Sequence, residues 1–198
     1  MKKISIIIAV SLTLIASSCD PDNKDIFNAE GVKINGTFNK VTESITLGDT
    51  LKLSLKIPDT VTSNGRTTIV QSLQEAQFYL RISKLDTLNR RSSLVERSLY
   101  WASAGSLSST SSFNYIFSKS AKPFNLLINF KPIEKGIYYF EVVSQPGDLK
   151  INNSFEARLV VGFDVPDKHI YLAEPFAGAD WANDARTREA GTYVFRVN

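Results

Sequence analysis

Apolar and polar residues alternate through residues 124–143, FNLLINFKPIEKGIYYFEVV, in the clearest pattern of the chain. Phe124, Leu126, Ile128 and Phe130 share one face and Asn125 and Asn129 the other, the period of two of a half-buried strand. Pro132 lacks the N–H a ladder needs and ends that strand. Gly136 supplies the backbone freedom for a tight reversal into a second strand, where Tyr138, Phe140 and Val142 share a face. Read as a central hairpin, the two imply a large sheet with another layer against it.

The same alternation recurs on both sides. Residues 32–41 and 44–57 form the first strand region, with Leu51, Leu53, Leu55 and Ile57 set against Lys52, Ser54 and Lys56, and Gly48-Asp49 marking a turn or bulge. A polar stretch over 58–76 has a tip at Ser63-Asn64-Gly65 and a short strand at 67–70. Residues 77–84 turn Phe78, Leu80 and Ile82 inward. Residues 86–97 read as a charged loop with Arg90-Arg91 in its middle, 98–102 as a strand carrying Tyr100-Trp101, 104–112 as a serine-rich flexible segment, and 113–117 as a strand. Pro146-Gly147-Asp148 is a turn, and 155–163 one long strand with Phe155, Ala157, Leu159, Val161 and Phe163 inward. Residues 170–172 pair briefly and 175–178 form a loop. The helix candidate is 180–189, with Asp180 as cap, Trp181, Ala185 and Arg188 on one face, and Gly191 closing it. Tyr193, Phe195 and Val197 make a last strand. Its Gly-x-Tyr-x-Phe-x-Val spelling matches residues 136–142; two copies fall short of a repeat protein and point to one job done twice, a turn feeding a core strand.

Eight or nine short strands and one short helix predict an all-β chain folded as a β-sandwich. Gly136-x-Tyr138-x-Phe140 resembles the tyrosine corner of immunoglobulin-like domains, in which a Tyr lies two residues before the buried position of strand F. Here that position is Phe140 instead of Cys, and the strand-C Trp is missing from 77–84. The resemblance implies an immunoglobulin-like β-sandwich over residues 31–198 with one short C-terminal helix. A lipocalin-like barrel is the alternative, matching the long polar loops and the late helix less well.

The N-terminus carries a separate message. Lys2 and Lys3 precede an apolar-and-hydroxyl run over 4–16 and then Ser17-Ser18-Cys19, the layout of a secretory signal peptide over residues 1–18. The run is shorter than the roughly 20 apolar residues that cross a bilayer. Cys19 is the only cysteine, so it has no disulfide partner within the chain. Ala16-Ser17-Ser18-Cys19 resembles the lipobox of bacterial lipoproteins, with Ala16 where Leu is commonest. The resemblance implies cleavage before Cys19, acylation of Cys19 with palmitate-type chains, and an outer-membrane protein facing the periplasm or the cell surface; several chains on one residue anchor stably. A plain secreted protein is the alternative. Residues 19–30 then read as a lipidated cysteine and solvated tether, and Asp20, Asp22 and Asp25 resemble the acidic surface-export tag of some outer-membrane lipoproteins. As a calcium loop the stretch fails, since Lys24 stands where an oxygen ligand is wanted and no Gly follows.

Composition is that of a globular protein, 43% hydrophobic and 22% charged. Removing residues 1–18 takes Lys2 and Lys3 and no acid, which brings the formal charge from +3 to +1. A balance this even argues against nucleic acid and against electrostatic docking on membranes. His169 is the only histidine, which excludes zinc sites built from several His or Cys ligands. A Ser-His-Asp arrangement would need His169 with Asp164 or Asp167, no Gly-x-Ser-x-Gly elbow presents a serine, and the turn at Pro166-Asp167-Lys168 predicts an exposed loop histidine. No phosphate-binding glycine loop is present. Asp180 and Asp184 beside Trp181 read as a cap and a solvated Asp184–Arg188 pair, with a calcium or sugar corner as the alternative. The expectation is a protein without catalytic residues, metal or cofactor.

Binding is the expected role. Sugar recognition stacks an aromatic plane on a pyranose, and the candidates are Trp101 with Tyr100 and Trp181 with Tyr171, core filling being the competing use of each ring. Arg90-Arg91 is a candidate for an anionic partner. The expected partners are the membrane, through the N-terminal lipid, and a glycan or a partner protein. A second reading is an accessory subunit of an outer-membrane complex or surface fibre that uses a sheet edge for strand addition. Asp49-Thr50-Leu51, Asp59-Thr60-Val61 and Asp86-Thr87-Leu88 resemble an O-glycosylation signal of exported proteins in some Gram-negative lineages, with Thr60 and Thr87 better placed than Thr50.

Overall fold

The structure, a computed structural model, describes residues 31–63, 65–108, 113–120, 122–143, 149–151, 155–163, 165–178, 181–182 and 192–198. The anchor, the tether, the Pro146-Gly147-Asp148 turn, Asp180 and Asp184 lie outside them. Leu51–Lys56 is buried at Leu51, Leu53 and Leu55 and wet at Lys52, Ser54 and Lys56, and Val32–Phe38 alternates the same way. That one-sided burial makes each strand a wall of a sandwich.

The strands are β1 (Val32–Phe38), β2 (Ser44–Ile45), β3 (Leu51–Lys56), β4 (Thr60–Ser63), β5 (Arg66–Ile69), β6 (Glu75–Asp86), β7 (Arg91–Leu94) and β8 (Tyr100–Ala104). They continue with β9 (Ser106–Leu107), β10 (Asn114–Ile116), β11 (Asn125–Phe130), β12 (Gly136–Val143), β13 (Leu149–Ile151), β14 (Phe155–Ala157), β15 (Leu159–Phe163) and β16 (Thr192–Val197). One sheet has the order β15-β1-β3-β11-β8 and the other the path β14-β13-β6-β12-β16-β2, with β7 and β10 also on β6. Within these orders, β1-β3-β11-β8 is the A-B-E-D arrangement of an immunoglobulin sandwich and β6-β12-β16 its C-F-G arrangement. The fold is an all-β sandwich with one short α-helix, α1 (Glu174–Ala177), among the described residues.

The tyrosine corner is present. The Tyr138 hydroxyl donates to the Glu134 carbonyl at 2.9 Å, tying β12 back onto the connection that precedes it. Tyr138 stacks on Phe195 at 5.8 Å, and Phe140 meets Phe130 of the other sheet edge-on at 5.9 Å. The two Gly-x-Tyr-x-Phe-x-Val stretches prove to be neighbours: β12 and β16 pair antiparallel with Tyr138 opposite Phe195 and Phe140 opposite Tyr193.

Several expectations are corrected. β11 and β12 are no hairpin. β11 pairs with β3 and β8 in one sheet, while β12 pairs with β6 and β16 in the other, so the Pro-to-Gly connection crosses between layers. The charged segment after Asp86 contains β7, which pairs with the end of β6, and the serine-rich segment contains β9, paired with β10. The expected long strand at 155–163 divides at Arg158: β14 pairs with β13, whereas β15 pairs parallel with β1 across the sandwich. Phe155, Ala157, Leu159, Val161 and Phe163 stay buried throughout, so one inward stripe serves both sheets as the strand turns the corner. Residues 166–172 are a 3-10 segment instead of a pairing strand, and 175–178 belongs to α1 instead of a loop. Of the helix expected at 180–189, Trp181 and Ala182 are helical and the rest lies outside the described residues.

Residues 166–178 with Trp181 and Ala182, which lie between β15 and β16, supply a third layer. Ile170, Leu172, Ala173 and Ala182 pack on Leu85, Ile137, Tyr139 and Val194, which point away from the main core. Phe176 and Trp181 close the margin of this cluster. A two-layer sandwich would leave those strand positions wet, and their apolar side chains demand a cover.

Candidate binding surfaces

Where the third layer meets the β6–β7 hairpin it leaves a cleft of about 110 Å³, lined by Leu85, Arg90, Ser92, Tyr139, Ala173, Ala177 and Trp181. Trp181 stands edge-on to Tyr139 at 5.6 Å, giving the cleft an aromatic floor. Ala173 and Ala177 keep the opposite side low. Arg90 brings the charge, and its placement is local chemistry. Asp86 accepts the backbone N–H groups of Leu88 at 2.9 Å and Asn89 at 3.1 Å, and the Asn89 amide at 2.7 Å, which organises the hairpin turn. These bonds hold the Asp86 carboxyl below its ordinary value, the Asn89 side chain contributing most. The turn leaves Arg90 in the left-handed region at φ 52°, an uncommon state for a residue other than glycine. Arg90 makes no ion pair among the described residues.

Trp181 of the expected Trp181–Tyr171 pair is therefore part of this cleft, while Tyr171 is 42% exposed and has its ring 6.1 Å from that of His169. His169 is a correction: it is 9% exposed instead of standing in an open loop. The 3-10 segment drives Ile170 and Leu172 onto the sheet and draws the imidazole in beside Tyr193, ring centroids 5.5 Å apart, with Nδ1 lacking a hydrogen-bond partner among the described residues. Lys168 and His169 both have φ 51°, and burial lowers the Lys168 ammonium.

The other tryptophan lies on the opposite side of the molecule. Trp101 is 43% exposed on the outer face of β8, its backbone opposite Asn129 of β11. Asn129 is buried and donates to Ser103 Oγ at 2.9 Å. Tyr100 does not share that surface. Alternation turns it into the core, 3% exposed, under the Arg97 guanidinium at 4.7 Å, and burial raises its hydroxyl. Around Trp101 the outer face carries Lys33, Asn35 and Thr37 from β1 and Lys52, Ser54 and Lys56 from β3, all exposed.

Among the described residues no group of three or more His, Cys, Asp and Glu is placed to hold a metal ion, and no helix is long and apolar enough to cross a membrane. No protein-family model matches the chain, and no curated protein is significantly similar to it. The functional reading therefore rests on these surfaces.

Proposed function

We propose that the protein is a lipid-anchored, non-catalytic binding module of the cell envelope whose sandwich takes a glycan in the Trp181 cleft. The cleft carries this reading: an aromatic floor from Tyr139 and Trp181, a guanidinium from Arg90 and a hydroxyl from Ser92 converge on a space of about 110 Å³. Drug-sized pockets run to roughly 300–1,000 Å³, so the space suits one sugar unit of a longer chain. Aromatic surface to stack on and a few polar groups to orient are what a pyranose requires. A glycan array probed with the purified protein tests it. Binding should appear on the array and be lost in Ala177→Leu, which fills the cleft from its rim, with an unchanged thermal melt. An array left blank by the folded wild type, or binding indifferent to Ala177→Leu, would overturn the assignment.

The alternative, an accessory subunit of an outer-membrane or surface-fibre complex, is favoured by β8, which ends its sheet and has a ladder partner on one side only among the described residues. A stoichiometric partner co-purifying from membranes, and lost on Ala102→Pro, would support it.

A further inference from the structure

A formal charge of only +3 over the chain conceals an uneven distribution. On the outer face of the β15-β1-β3-β11-β8 sheet, the strand positions that point away from the core carry Lys33, Lys52 and Lys56, and Lys131 continues the alternation just past β11. None of these lysines makes an ion pair among the described residues, and no Asp or Glu occupies an outward strand position of that sheet. The outer face of the other sheet is balanced, Glu75, Glu141 and Glu156 against Arg81, Lys150 and Arg196. The basic face also holds Trp101, 43% exposed, with Asn35 and Asn125. It is a flat, one-signed surface with an amphipathic ring at its rim.

We propose that this face is a membrane-docking surface whose occupant is a layer of anionic lipid headgroups. Charge complementarity selects an anionic partner, and three properties select a lipid surface. The lysines are spread over a plane instead of converging on a groove, which suits an extended charged surface. Trp is the side chain that settles at headgroup depth, its ring half in hydrocarbon and its N–H wet. The third property rests on the lipid-anchor reading. An acyl group on Cys19 is separated from β1 by the twelve residues 20–31, which extend to at most about 40 Å. Within that radius the effective concentration of headgroups is high, so weak contacts suffice. The docked orientation turns the opposite sheet, with the Trp181 cleft, away from the bilayer, which is where a soluble glycan arrives.

The test uses the chain from residue 19 onward with Cys19→Ser, which has neither the apolar leader nor an acyl group, so that face and anchor fail independently. It is mixed with vesicles of phosphatidylcholine alone and with vesicles enriched in phosphatidylglycerol, and sedimented. Binding should be confined to the anionic vesicles, fade as salt is raised, and shift the fluorescence of Trp101 to the blue in a Trp181→Phe background. Lysine near an anionic surface is worth about fivefold in affinity, so Lys52→Gln/Lys56→Gln should weaken binding about 25-fold. Arg81→Gln/Lys150→Gln removes the same charge from the opposite face and should leave binding unchanged. Equal binding to both vesicle types, equal weakening by both double variants, or capture of a soluble acidic polysaccharide without vesicle binding would overturn the proposal. Labelled palmitate in the wild type reports on the anchor alone, whatever the vesicles show.

Discussion

Gly36 sits in the middle of β1 because side chains of the two flanking strands, Phe163 of β15 and Leu53 of β3, fill the space over it. A Cβ there would lie 2.9 Å from Phe163 Cδ1 and 3.0 Å from Leu53 Cδ1, both side chains held in the buried core. Gly36→Val should cost about 1–3 kcal/mol in a denaturant titration, the range of an overpacked core. Tyr138 offers a gentler probe. Tyr138→Phe removes the bond to the Glu134 carbonyl and should cost about 1 kcal/mol while the fold survives. Burial pushes the hydroxyls of Tyr138 and Tyr193 up to about 12, Glu134 adding to the effect at Tyr138. Their folded values lie above the ordinary value near 10, so their contribution is intact below pH 10 and is lost as pH climbs toward 12. An alkaline transition in that window, followed by tyrosinate absorbance and circular dichroism together, should move to higher pH in Tyr138→Phe.

Strand by strand, the alternating pattern was sufficient wherever one face meets water. β3 was legible residue by residue, β1 stops at Phe38 short of the expected end at 41, and β6 needed only longer ends. What alternation cannot report is the partner of a strand. The connection from Phe130 to Gly136 looks like a hairpin because Pro and Gly sit where a turn wants them, yet the same residues serve a crossover between sheets. Nor does alternation announce a change of sheet, since residues 155–163 keep one inward stripe across the break. The covering layer had a signal that was passed over. Ile137, Tyr138, Tyr139 and Phe140 are apolar on both faces, as are Tyr193, Val194 and Phe195, and a strand without a wet face needs cover on both sides. Of the site residues, Trp181 and Trp101 were nameable as isolated large aromatics. Arg90 was nameable as half of an Arg-Arg pair but its place beside Trp181 came only from the structure, and Tyr139 entered the site only through the cover. The cover should also open on its own. Ile170→Ala, at a fully buried position, should cost about 2–5 kcal/mol locally and raise hydrogen exchange around Ile137 and Val194 while the main core stays protected.

As a whole the molecule presents two unlike outer faces, and on the lipid-anchor reading proposed above its chain start directs it to the envelope. Cell fractionation should place wild-type protein with the outer membrane and Cys19→Ser in the soluble fraction, with labelled palmitate entering only the former. Among the Asp-Thr-apolar sites, Thr60 and Thr87 are exposed and Thr50 is half-buried, so any attached sugar should be found by mass spectrometry on the first two. The stretch between strands F and G bears on how this molecule is assembled. Pairing Glu141 with Thr192 closes a loop of about 50 residues, where a short hairpin would close one of about five, an entropic handicap of about 2 kcal/mol. β16 thus reaches β12 only after a long search, and some of the residues that lengthen it clamp its product once Ile170 and Leu172 settle on the outside. Folding should run in that sequence, with β16 and its cover joining the rest of the sandwich in one late step.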